Sequence, residues 1–429
     1  MNLSWTLFIF VNAVLIGKDC AKGLPNPTLS TRKCGKVHLT VSSLKDTYLE
    51  MNWISKCDKA RDIKPDYIGL FDYNPRDRNE EAPPKVLINA NYYPEGFYRT
   101  KLRFGHPWLP GNWEYQPNMS LVDTGRKCFP YWIAAFRGSD IIDTNCLSIN
   151  PTWMNDIRDQ IKDQRIGNLF IPGTHNSGAY SGNYKLFFEN YLINQDRSVW
   201  TQLVFGIRYI DLRVGYYLDE GFFINHDLVR IGKLIPILQE IRKFMELAPR
   251  EVVVLDFHRF PYPSKPDADI HRRLVSVIQR ELGHLALPPG GLQAGKGPTM
   301  NEIWHQNKTL IICYGQREIA REYSWLWNPL QQHWGDKSNV GDLKAFVSSS
   351  IKSHNTIFNP MWAIMAELTP KPLDIIFRTN SLRKMADDVN RYLTTWFRED
   401  WLKDVNIVAT DFFLGNDLIN VAIEANKLR

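Results

Sequence analysis

Two rhythms of apolar positions divide the chain. From Lys22 to Pro151, short runs rich in β-branched and aromatic residues recur: KVHLTVS, TYLEMNWIS, YIGLFDY, KVLINANYY, FYRTKLRF, WIAAFRG and IIDTNCLSI. Pro, Gly, Asn and Asp separate them, the grammar of strands broken by turns. About seven strands over 22–151 predict a two-sheet, immunoglobulin-like β-sandwich. His38 and His106 stand alone there, and no cluster of catalytic residue types accompanies them. A structural or binding role is the expectation for this part.

From Trp153 onward strands alternate with helices. Strands are expected at Asn168–Pro172, Ile207–Val214, Phe222–His226, Glu251–His258, Thr309–Tyr314, Phe358–Ala366 and Val405–Asp411. Ile231–Leu247 carries Leu234, Ile237, Leu238, Ile241, Phe244 and Met245 at helical spacing, and Ala268–Leu282 and Leu382–Phe397 behave alike. Alternating β and α over 155–429 predicts a distorted (β/α)8 TIM-type barrel with its chemistry at the strand C-termini. A doubly wound open sheet is the rival, but no Gly-rich dinucleotide loop follows the first strand.

Composition narrows the class. The chain has 429 residues, 44% of them apolar, enough for a substantial core. The formal charge of +6 is spread out and accompanied by no recognition motif, so no nucleic-acid partner is expected. Leu3–Ile16 is almost wholly apolar, too short to span a bilayer comfortably, and reads as a signal peptide over 1–17. Secretion follows. Five of the six cysteines lie before Ile149 without metal spacing, which predicts disulfides. Cys313, in an apolar strand-like run, is expected as a buried free thiol. Asn118 and Asn307 head glycosylation sequons.

The ends of the expected strands carry unusual residues. They read IPGTHNS, with His175 and Asn176; GIRYIDLRV, with Asp211 and Arg213 on one strand face; FFINHD, with His226; VVVLDFH, with Asp256 and His258 on one face; and NIVATD, with Asp411. Ionisable groups on the inner face of a barrel are costly unless paired or functional. Two imidazoles, carboxylates and a guanidinium suit phosphodiester cleavage: one His takes the proton of an attacking hydroxyl, and the other protonates the leaving oxygen. Arg stabilises the nonbridging oxygens.

Through IPGTHNSGAY, GIRYIDLRVGYY, FFINHDL, EVVVLDFHRF, WAIMAELTP and NIVATDFFLGNDL the chain resembles the X domain of phosphatidylinositol-specific phospholipases C. It is most similar to the small X-domain-containing proteins that lack the Y region. The extension before it resembles those of secreted, insect-like members. The resemblance implies a distorted barrel that releases diacylglycerol by attack of the inositol 2-hydroxyl. It implies that His175 is the general base, His226 the general acid and Asp411 the acid that orients the base. Arg213 stands where bacterial members have Arg and calcium-dependent members an acid. Asp211 stands where both are acidic. Asn176 follows the calcium-dependent pattern. His258 stands where bacterial members have Lys and calcium-dependent members Glu. An incomplete calcium set results, so no metal and no cofactor are expected.

Asn176, His258, Asp256, Trp362 and Glu367 are further candidates for substrate binding, Trp362 by stacking and Glu367 through inositol hydroxyls. The expected partner is phosphatidylinositol or a glycosyl-phosphatidylinositol lipid, met by peripheral contact with a membrane surface. Two other readings compete. A glycerophosphodiester phosphodiesterase would need E-x-D where Asp211-Leu212-Arg213 stands. A non-catalytic lipid or glycan binder on a degenerate X domain would not need both histidines.

Overall fold

The computed structural model describes residues 34–56, 64–77, 82–180, 189–289, 296–354, 361–377 and 379–429. The expected leader, Cys20 and Cys57 lie outside them. Each of the seven runs before Pro151 becomes a strand: β1 (Val37–Val41), β2 (Tyr48–Trp53), β3 (Tyr67–Phe71), β4 (Val86–Asn89), β5 (Phe97–Arg103), β6 (Lys127–Arg137) and β7 (Asp140–Ile149). They pair antiparallel in two sheets, β1-β2-β5 and β4-β3-β6-β7. Val37, Leu39, Met51 and Trp53 from one sheet share a core with Ile68, Leu70, Ile133 and Leu147 from the other. A disulfide, Cys128–Cys146, ties β6 to β7. Cys313 is buried and free.

Nine further strands follow: β8 (Ile171–Thr174), β9 (Tyr209–Tyr217), β10 (Gly221–His226), β11 (Val229–Lys233), β12 (Val253–Arg259), β13 (Leu310–Tyr314), β14 (Gln331–Trp334), β15 (Trp362–Met365) and β16 (Ile407–Thr410). Seven of them are parallel neighbours in the order β13-β12-β9-β8-β16-β15-β14. Among the described residues no ladder joins β13 to β14 and none supplies an eighth parallel strand, so the barrel is mixed α/β and incomplete on that side.

Two expectations need correction, and one strand is unexpected. Phe222–His226 is not a parallel barrel strand: β10 runs antiparallel to β9, as the middle of a β9-β10-β11 ribbon. Only three residues, Leu218, Asp219 and Glu220, separate it from β9, and a parallel return needs a far longer crossover. The helix expected from Ile231 begins at Leu234, because Val229–Lys233 forms β11. Gln331–Trp334 is a strand that no apolar alternation announces.

Side-chain alternation fills the barrel. Ile171, Tyr209, Val254, Ile311, Cys313, Ala363, Met365, Ile407 and Ala409 point inward and form one cluster. Tyr209 crosses so close to β8 that a Cβ on Gly173 would meet its Cδ1 at 2.7 Å; glycine is required there by space. The outward faces of β15 and β16 pack Trp362, Ile364 and Val408 against the helices Val340–His354 and Leu382–Glu399.

The join between the sheets and the barrel rests on a buried ion pair. Arg208 Nη2 lies 2.6 Å from Glu251 Oε2, both fully buried. The same guanidinium donates to the carbonyls of Pro151, Leu203 and Ile207. Glu251 also accepts the main-chain N–H groups of Met154 and Asn155 at 3.2 and 2.9 Å. Removing one partner strands the other charge in the interior. Glu251→Ala should therefore lower stability by about 3–5 kcal/mol; a urea midpoint within error of the wild type would contradict this account of the join.

Candidate active site

The inward register that fills the barrel with apolar groups also delivers its polar mouth. Continuing each strand by two residues takes Gly173 to His175, Tyr209 to Asp211 and Arg213, Val254 to Asp256 and His258, Met365 to Glu367, and Ala409 to Asp411. His175, Asn176, Asp211, Arg213, Asp256, Glu367 and Asp411 are all buried. Such a density of charge in the interior must be paired, and most of it is.

His175 is held from both sides. Its Nδ1 lies 2.9 Å from Asp411 Oδ1 and its Nε2 2.5 Å from Arg213 Nη2. Since the guanidinium can only donate, Nε2 carries the lone pair and Nδ1 the proton given to Asp411. Glu367 Oε1 stands 4.0 Å from Nε2. Burial pulls the His175 pKa down, but Glu367 and Asp411 outweigh burial and Arg213, and the net direction is upward. Burial pushes Glu367 up to about 7. Neither of its oxygens has a hydrogen-bond partner among the described residues, so the rise has a clear cause.

Arg213 also lies 3.6 Å from Asp211 Oδ2. Burial alone would raise Asp211, but Arg213, His175 and His258 hold it below the usual carboxylate range. Its in-register neighbour on β12 behaves oppositely. Burial, and then the Asp211 charge beside it, push Asp256 up to about 8. Asp256 accepts from Tyr209 Oη at 2.9 Å and Gln332 Nε2 at 3.2 Å, and lies 3.8 Å from His258 Nδ1. Burial brings His258 down to about 4. His226 enters from the tip of β10, with Nδ1 donating to the Leu192 carbonyl at 2.8 Å. Burial lowers its pKa.

The structure does not bring Trp362 to the mouth. It is one residue out of step with Ala363, Met365 and Glu367, so it faces the outer helices and stacks on His354 at 4.7 Å. A stacking role in the mouth is thereby corrected. The other candidates gather within the same mouth: His175, Asp211, Arg213, Asp411 and Glu367 by direct contact, Asn176, Asp256, His258 and His226 around them.

Several supporting groups gave no sequence signal, because they lie in irregular segments or on the unannounced β14. Asn194 donates to both Asp411 oxygens at 3.0 and 3.1 Å, and its Oδ1 accepts from Asn176 at 3.1 Å. Gln195 Nε2 donates to the carbonyls of His175 and Thr410, both at 2.9 Å. Gln332 reaches Tyr209 Oη at 2.8 Å. The backbone is strained at the same places. Asn176, Asp227 and Phe412 take positive φ of 40°, 47° and 47°, and they directly follow His175, His226 and Asp411. These left-handed residues turn the chain sharply once the side chain before them has been delivered.

A calcium ion of the kind used by some relatives fits these residues poorly. Asn176 Oδ1 is buried and unpartnered, and Asp211 and Glu367 are acidic. Yet the Arg213 guanidinium already lies against Asp211 and would sit beside the cation.

A family model described as PI-PLC X matches residues 162–365. The human PI-PLC X domain-containing protein 1 is 24% identical over 316 residues, covering 66% of this chain and 94% of its own. The mouse PI-PLC X domain-containing protein 2 is 26% identical, covering 65% and 88%. Among solved structures, the phosphatidylinositol-specific phospholipase C of Listeria monocytogenes superposes with a TM-score of 0.50 at 16% identity, covering 64% of this chain and 98% of its own. One from Staphylococcus aureus does so with 0.50 at 15% identity, covering 64% and 97%. At these identities the structural likeness speaks for the fold.

Asp256 gives this site a signature in stability. Its folded pKa, about 8, lies above the ordinary carboxylate value. The contribution is therefore present in full at acid pH and is lost as pH rises through about 8. Between these limits the unfolded chain releases a proton that the folded one keeps. Asp256→Asn should make the fall in stability from pH 5 to pH 8 shallower, by about 1 kcal/mol per pH unit. Parallel stability-versus-pH curves for the two proteins would refute the protonated Asp256.

Proposed function

From a chain whose barrel carries a PI-PLC X region, we propose a phosphodiesterase that cleaves phosphatidylinositol-type lipids by acid–base catalysis without calcium. The observation that carries this reading is the fixed imidazole of His175, with Nδ1 on Asp411 and the Nε2 lone pair capped by Arg213, which frees it for the substrate when the guanidinium turns to the phosphate. His175 Nε2 takes the proton of the inositol 2-hydroxyl as that oxygen bonds to phosphorus. The bond from phosphorus to the glycerol oxygen breaks, and His226 gives that oxygen a proton. Diacylglycerol and an inositol phosphate result. Asp411 keeps the base in its productive tautomer and steadies the imidazolium once formed. Arg213 takes the nonbridging oxygens. Burial lowers the His226 pKa, and an arriving phosphate monoanion opposes that shift and favours its protonated form. Glu367, Asn176 and His258 are available to inositol hydroxyls, the first two through unpartnered oxygens.

Exposed apolar side chains support contact with a membrane surface. Leu228 follows His226 at the β10–β11 turn, and Leu373, Ile376 and Phe377 follow the strand of Glu367. A glycosyl-phosphatidylinositol lipid offers the same inositol phosphodiester. We read the two N-terminal sheets as immunoglobulin type from their strand order, and the protein as secreted from its leader and its disulfide.

Replacing His175 or His226 by Ala should lower turnover of phosphatidylinositol by roughly two to four orders of magnitude. Folded single mutants that turn over like the wild type would remove both residues from the mechanism. The calcium argument has its own test. A guanidinium stays protonated at any workable pH and takes the place of the cation permanently. Activity should survive excess EGTA and collapse in Arg213→Ala. Activity abolished by EGTA and restored by calcium would show the substitution of Arg for metal to be wrong.

A further inference from the structure

The proposed chemistry uses only barrel residues, yet the turn after β1 reaches the back of the site. Ser42 and Ser43 are buried. Ser43 Oγ accepts from Asn390 Nδ2 at 3.1 Å. That amide also donates to the main-chain carbonyls of Asp411 and Phe412, at 3.0 and 3.2 Å. Asn390 sits on the helix Leu382–Glu399 and is itself buried. Its Oδ1 accepts from Asn416 Nδ2 at 3.1 Å, and the same Asn416 amide donates to Thr410 Oγ1 at 3.2 Å. Residues 410–416, a strap that carries Asp411, are thus held from behind by a polar cluster to which the N-terminal sheets contribute.

Two independent features show how tight this contact is. A Cβ on Gly415 would lie 2.6 Å from Ser43 Oγ and 2.7 Å from Asn390 Nδ2. Nothing larger than glycine fits between the turn and the strap. Phe412 is left-handed, a conformation costly for a non-glycine residue, and its carbonyl is one of the oxygens Asn390 engages. A second tie runs beside the first. Arg383 donates to the Ser43 carbonyl at 3.1 Å, pairs with Asp196 and stacks over the Phe412 ring at 4.5 Å. Asp196 directly follows Gln195, which fixes the carbonyls of His175 and Thr410.

We propose that Ser43 and Asn390 are positioning residues for the Asp411–His175 pair, so that the N-terminal sheets form part of the site rather than an appended module. The proposal rests on the acid–base reading above. Asp411 points at His175 Nδ1 only while its main chain holds the sharp turn at Phe412. Without the Asn390 amide, the Asp411 carbonyl loses its donor, the Phe412 carbonyl keeps only the Gly415 N–H at 2.9 Å, and the strap relaxes. Asp411 then drifts from Nδ1. His175 loses part of the negative field that raises its pKa, and its tautomer is less firmly set.

The test titrates the His175 ring by NMR in the full-length protein with 13C-labelled histidine, next to steady-state kinetics on phosphatidylinositol vesicles. In Asn390→Ala the His175 pKa should fall, and kcat should drop about 10- to 100-fold with KM little changed. Ser43→Ala should move both in the same direction by less. Ser42→Ala is the control: its hydroxyl donates to Asp387 at 2.7 Å and touches neither Asn390 nor the strap, so the His175 titration should stay put. A His175 pKa unmoved in folded Asn390→Ala and Ser43→Ala overturns the proposal, as does an equal shift in Ser42→Ala, which would mark a general loosening of the junction. The titration needs no turnover, so an inactive wild type would count against the proposed reaction while the positioning is still decided by the ring.

Discussion

The Arg213 guanidinium sets the electrostatics of the whole barrel mouth. It is a buried cation against Asp211 and the His175 ring. The groups around it adjust to that fixed positive charge. Asp211 is held below the usual carboxylate range, and the His175 Nε2 lone pair accepts from the guanidinium. Burial, and then the Asp211 charge beside it, push Asp256 up to about 8. Two aspartates in register on neighbouring strands thus carry opposite protonation states. Only one of them lies beside the cation.

Around this charge sits a ring of amides. Asn194, Gln195, Gln332 and Asn390 satisfy carboxylates, carbonyls and a phenol without adding charge. An amide can donate and accept at once, which suits a region where main chains turn abruptly and leave carbonyls free. The left-handed residues after His175, His226 and Asp411 create those turns. Strain at the backbone and hydrogen bonding behind it are two sides of one arrangement. Unpartnered oxygens on Glu367, Asn176 and Asp256 belong to side chains of the mouth itself. Their desolvation is uncompensated among the described residues, which makes them the places where a polyhydroxy ligand gains most.

Much of this was legible in the residues alone. A period of two along a strand puts Asp211 with Arg213, and Asp256 with His258, on one face, and the barrel register delivers them there. The motif IPGTHNS reads as a strand ending in a histidine, and β8 ends at Thr174 just before His175. Helices with a strong apolar stripe were equally plain: Ala268–Leu282 spans the expected residues. Such features are local, because a few consecutive side chains determine them.

What the tertiary structure decided is non-local. Trp362 and Glu367 share one short segment, and only the sheet register shows that the first faces helices while the second faces His175. His226 lies in an apolar strand like its neighbours, but the brief turn at Leu218 reverses the chain and makes that strand antiparallel. Gln332 sits in a strand without alternation, because its neighbours are polar on both faces. Asn194 meets Asp411 across 217 residues of chain, and Ser43 meets Asn390 across 347. A hydrogen bond over such a distance leaves no period and no spacing in the chain. The sequence determined which chemical groups exist and which strand face each occupies; folding alone determined which of them share a dielectric cavity, and so which are charged.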